Sequence, residues 1–124
     1  MEITKGLLCR DINGYSDAGA ARKQTFHKEG KKFLKQLAEV LGITAECDVR
    51  SNLGGVAVSG EVTLHGDRLY VQLYEYQNGV QVLYRACTGR KDYTGGQNNN
   101  ANMQELAQDY SALDLFVARL KKMM

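Results

Sequence analysis

The chain has 124 residues, 44% of them hydrophobic and 24% charged, with a net charge of +2 and a sequence pI near 8.4. That is the length of one domain with enough apolar content for a core, which excludes wholesale disorder, and so mild a basicity does not by itself announce a nucleic-acid binder. Three widely spaced cysteines, Cys9, Cys47 and Cys87, form no CxxC or Cys/His pattern, which implies free thiols in a reducing compartment and neither a zinc site nor a disulfide framework.

No apolar run approaches the ~18 residues of a membrane helix, and the charges spread over Met1–Asp17 leave no signal-peptide core. The expectation is a single α+β domain over residues 1–124, cytoplasmic, off the membrane and without a cofactor. Residues 1–15 carry no decisive pattern. Gly6-Leu7-Leu8-Cys9 suits a short strand, and Asp11-Ile12-Asn13-Gly14 suits a turn because Asn and Gly tolerate positive φ.

Ser16 and Asp17 are N-cap residues for a helix running to about Leu41. Phe26, Phe33, Leu34, Leu37, Ala38 and Leu41 recur every three or four positions and form one stripe, and Gly42 follows where a left-handed residue ends a helix. Gly30 weakens the helix and marks a place for a break.

Val56, Val58, Val62 and Leu64 alternate with polar residues through His65, as in a half-buried strand. Gly66-Asp67 and Asn78-Gly79 suit two-residue hairpin turns. Those turns pair Leu64 with Leu69, Val62 with Val71 and Gly60 with Leu73, then Leu73 with Tyr84 and Val71 with Ala86. Both hairpins send Leu69, Val71 and Leu73 to one face. A polar loop follows Cys87, and a last helix starts near Asn102, where Asn102-Met103-Gln104-Glu105 resembles a capping box. Leu106, Tyr110, Leu113, Val117, Leu120 and Met124 supply its seam. The expected architecture is a helix, a three-stranded antiparallel meander and a helix, in two layers with both helices on one sheet face.

The opposite face then shows Thr63, Tyr70 and Cys87 in one row, Glu61, Gln72 and Arg85 in the next, and Ser59, Tyr74 and Leu83 in a third, with Tyr76 beside Gln81. Tyrosines on a sheet face either pack on their neighbours or offer large amphipathic bodies to a partner. The N-terminal segment lying across them would close that face. Gly89–Gly96 is either a surface loop or a nest of backbone amides for an anion, with Arg90 and Lys91 alongside, and it has no nucleotide-binding fingerprint.

Between Arg22 and Lys35 six basic residues stand against one acid, Glu29. Lys28, Lys31, Lys32 and Lys35 lie opposite the apolar stripe, as a solvated face or as a patch for phosphates or an acidic partner. The helix–three strands–helix order matches that of double-stranded RNA-binding domains, but the lysines such domains carry at the start of the second helix are replaced by Gln97-Asn98-Asn99-Asn100-Ala101-Asn102. His27 and His65 stand on different elements, and no nucleophile–histidine–acid spacing is present.

Residues 51–65, Ser-Asn-Leu-Gly-Gly-Val-Ala-Val-Ser-Gly-Glu-Val-Thr-Leu-His, and residues 89–96, Gly-Arg-Lys-Asp-Tyr-Thr-Gly-Gly, resemble segments of small uncharacterised proteins encoded by phages, prophages and other mobile elements. The resemblance implies a setting, that of small proteins that bind a host or phage macromolecule, and transfers no site residues. The leading expectation is therefore a non-enzymatic protein that binds a protein partner, a second copy of itself included, through Tyr70, Tyr74, Tyr76, Arg85, Arg90, Lys91 and Tyr93. The alternative is a nucleic-acid binder using Lys28, Lys31, Lys32 and Lys35. An enzyme acting on an anionic small molecule at the glycine loop comes third.

Overall fold

The structure is a computed structural model that describes residues 1–8, 17–52, 60–76, 79–92 and 97–124. Helix α1 spans Asp17–Leu41, and its predicted stripe is the core: Phe26, Phe33, Leu34, Leu37, Ala38 and Leu41 are all buried. Gly42 ends it at φ +73°. Gly30 does not break it. A Cβ at that position would lie 3.0 Å from Val62 Cγ2 and 3.6 Å from Leu73 Cδ1, so the glycine lets the helix backbone approach the sheet closely.

Among the described residues five strands form one antiparallel sheet in sequential order. They are β1 (Cys47–Asn52), β2 (Glu61–Gly66), β3 (Leu69–Tyr76), β4 (Gly79–Ala86) and β5 (Asn99–Asn102). The expected meander is β2–β3–β4. The two outer strands are additions to it, and β5 is made from the asparagines expected in a loop. Asparagine disfavours strands, yet here the free edge of β4 supplies the ladder and Asn99 Nδ2 donates to the Tyr84 carbonyl at 3.4 Å.

Both hairpin registers differ from the expected ones by a turn shifted one residue. Leu64 faces Val71, Val62 faces Leu73, Val71 faces Tyr84 and Leu73 faces Val82. The first turn falls on Asp67-Arg68 because Gly66 is needed in the strand. There it faces both Cys47 and Leu69, and a Cβ on it would sit 3.4 Å from the carbonyl oxygens of Glu46 and Leu69. At the other end of β3 Tyr76 pairs with Gly79; residues 77–78 lie outside the described residues, as do Val56, Val58, Ser16 and Asn13-Gly14. A turn displaced by one residue moves each partner by two, so every side chain keeps its face. Leu69, Val71 and Leu73 do share the inner face, each fully buried with Val62, Leu64, Val80 and Val82.

The last helix is two. Helix α2 (Met103–Ala107) is capped by Asn102, whose Oδ1 accepts from Gln104 N at 2.8 Å. Helix α3 (Tyr110–Met123) starts afresh because Asp109 turns extended and caps it. Asp109 Oδ1 accepts from Ala112 N at 2.8 Å and from the Ser111 hydroxyl at 2.6 Å. These bonds hold its carboxyl below the ordinary carboxylate pKa, the Ser111 hydroxyl contributing most.

Helices α1 and α3 cover the inner face of the sheet, Phe116 of α3 meeting Tyr84 edge-on at 5.2 Å. Lys5–Leu7 is a 3-10 turn where a short strand was expected, and residues 1–8 lie along α1. Leu7 is buried, Thr4 Oγ1 donates to Glu29 Oε2 at 3.1 Å, and Glu2 N donates to Gln36 Oε1 at 3.4 Å. No described helix is long and apolar enough to cross a membrane.

Candidate functional site

The sheet has one covered face and one that neither α1, α3 nor residues 1–8 reach. The observed registers rearrange its rows. Asp48, His65, Tyr70 and Arg85 stand in line, then Arg50, Thr63, Gln72, Leu83 and Asn100, then Asn52, Glu61, Tyr74, Gln81 and Asn102. The expected Glu61–Gln72–Arg85 row does not exist: Glu61 accepts from Asn52 Nδ2 at 3.3 Å, and Arg85 lies beside Tyr70. Cys87 falls past the end of β4, where its thiol donates to the Gly66 carbonyl at 3.3 Å.

Arg85 is an interior group. Its side chain is 4% exposed, its guanidinium carbon lies 4.7 Å from the centre of the Tyr70 ring, and Nη2 donates to the Asp92 carbonyl at 2.9 Å. The Asp92 carboxylate is 4.0 Å away. On the ring's other contact, His65 packs edge-on at 5.0 Å, and Tyr70 Oη donates to Gln72 Oε1 at 2.8 Å. The described part of the loop after β4 folds over this end of the face. His65 Nε2 lies 3.0 Å from the Gly89 carbonyl, which can only accept, so Nε2 carries the proton. Thr88 donates from its backbone N and its hydroxyl to Asp92 Oδ2.

Arg90 latches that loop to the rest of the sheet. Its Nε donates to Asp67 Oδ1 at 3.1 Å, its Nη2 to the Ala45 carbonyl at 3.2 Å, and Nη1 lies 3.6 Å from Asp48 Oδ1. Nε and Nη1 thus point at two carboxylates of the same chain, and residues 93–96 of the expected anion loop lie outside the described residues. Of the expected partner-binding set, Arg85 is buried, Arg90 is partly exposed, Tyr70 and Tyr74 are half-buried on the face, and Lys91 is exposed. Tyr93 and the Tyr76 side chain lie outside the described residues. Burial pushes the Cys47 and Cys87 thiols up from their ordinary range, so both stay protonated and weakly nucleophilic at neutral pH; Cys9 lies outside the described residues.

The residues of the alternative set all lie on α1. Lys28, Lys32 and Lys35 are exposed and Lys31 half-buried, and together they line an open groove of about 710 Å³. Sequence reasoning missed His65, Asp92 and Ser51. The first sits next to Tyr70 only in the observed register, and the second acts through a loop. Ser51 belongs to a strand that polar Arg50-Ser51-Asn52 did not announce. Compared with protein-family models, with curated proteins and with solved structures, the chain matches none.

Proposed function

We propose that this is a non-enzymatic binding protein that meets a protein partner, a second copy of itself included, on the outer face of its sheet. One observation carries the reading. The described helices lie on the inner side of the sheet and residues 1–8 lie along α1, leaving on the other face, among the described residues, a centre of Tyr70, Gln72, Tyr74 and Leu83 flanked by Arg50, Glu61 and Asn100. A tyrosine and leucine centre inside a polar and charged rim is the anatomy of a transient protein interface. The buried Arg85, packed on the Tyr70 ring, holds that part of the centre in place, which lowers the ordering cost of association. The resemblance to phage-encoded proteins supports a host or phage macromolecule as the partner.

A photo-crosslinking residue tests this directly. Placed at position 74 in the producing cell, it is expected to give one dominant protein adduct, and placed at the exposed Leu115 of α3 it gives none of that species. Leu83→Lys, which puts a charge in the centre of the face, removes the adduct while leaving the thermal midpoint nearly unchanged. An adduct of twice the chain's own mass identifies self-association. Equal yields from positions 74 and 115 would discard the reading.

A further inference from the structure

The side of α1 away from the core is charged in a way the fold does not use. Lys28, Lys31, Lys32 and Lys35 recur at helical spacings of three and four, so their ammonium groups emerge together, opposite the buried stripe. Among the described residues none of the four forms an ion pair or hydrogen bond, whereas Arg50, Arg85 and Arg90 all face carboxylates. The lysines line the open groove that extends to edge strand β1, and Glu39 is the one acid among its described lining residues. In the groove's wall Ser51 Oγ is buried and, among the described residues, has no hydrogen-bond partner, a state that costs stability.

From this geometry we infer that the α1 lysine face, with Ser51, binds the phosphate backbone of duplex nucleic acid without reading its sequence. The surface is separate from the outer sheet face, and either can fail without the other. Four like charges over eight helical residues, seven steps of rise, span about 10 Å. A small anion neutralises one or two of them, but a duplex strand presents a phosphate every ~3.4 Å of axis, so about three fall within that length. Lysines are point charges suited to phosphate oxygens, and a serine hydroxyl is a common donor to them. The described lining residues include no Phe, Tyr or Trp on which an unpaired base would stack. Backbone contact to a duplex is what remains.

The test is fluorescence anisotropy with labelled duplex DNA and RNA of about 20 base pairs at about 50 and 200 mM salt. Binding is expected with a log–log salt slope of about −3, a loss of roughly 60-fold across that range. Lys28→Gln, Lys31→Gln, Lys32→Gln and Lys35→Gln combined bring the slope close to zero. Arg68→Gln, Arg119→Gln, Lys121→Gln and Lys122→Gln combined remove the same charge elsewhere and leave the slope unchanged. Ser51→Ala weakens binding by about two- to fivefold at constant slope, since it removes a neutral donor. If the fourfold lysine variant fails to fold by circular dichroism, the single exposed changes Lys28→Gln and Lys35→Gln each reduce the slope by about 1 instead. No binding to either duplex at the lower salt overturns the inference. So does an equal loss in the charge-matched control, a single strand bound more tightly than the duplex, or polyglutamate competing as well as duplex at equal charge.

Discussion

Arg85 and Arg90 stand five positions apart, and both look like surface cations in the one-dimensional chain. Burial separates them. Arg85 is enclosed by the Tyr70 ring and the Asp92 carbonyl, while Arg90 keeps about a third of its side chain in water. Removing an enclosed charge strands the polar groups that met it, which costs about 2–3 kcal/mol. Removing a screened, half-exposed latch costs less than about 1 kcal/mol. Urea unfolding of Arg85→Ala and Arg90→Ala should therefore rank them in that order by a clear margin. Equal losses would mean that enclosure is not what distinguishes them. The polar tract after Cys87 was legible as a loop, but which of its carbonyls face inward depends on His65 and Arg85 arriving beneath it from other strands.

Elements were readable where the signal lies within one segment. The stripe of α1, its glycine stop and the Asn102 cap each arise from neighbours a few residues apart. Gly30 illustrates the opposite case. Helix propensity favours alanine there by about 1 kcal/mol, yet the new Cβ would press on Val62 Cγ2 at 3.0 Å, and Val62 is stiff and fully buried. Overpacking of that kind costs about 1–3 kcal/mol. Gly30→Ala is expected to lower stability by about 1 kcal/mol net of the propensity gain, read from chemical denaturation, whereas a more stable variant would show that α1 and β2 can move apart. The break between α2 and α3 was not legible, because Asp109 competes with the helix only through its own cap bonds.

At the scale of the molecule, the sheet runs in sequence order with β3 in the middle and β1 and β5 at the edges. Strand β3 is paired on both sides, and its Leu69, Val71 and Leu73 have no exposure; β5 is four residues long and carries no fully buried side chain. Local opening follows such differences in burial and pairing. Hydrogen exchange should find the β3 amides slowest and those of β5 faster by about a hundredfold or more. Comparable protection in both strands would contradict a sheet held from its centre.

Periodicity alone determined which side chains of α1, β2, β3 and β4 turn inward, because a repeat of two or of about 3.6 is a local property that survives a displaced turn. Only the tertiary structure decided which residues stand in a row across the sheet, that Cys47–Asn52 and Asn99–Asn102 extend it, and that one arginine is enclosed while its neighbour acts as a latch. Those outcomes rest on pairings between distant segments. Their free energy comes from ladder edges and shared burial, and no short stretch of the chain contains either.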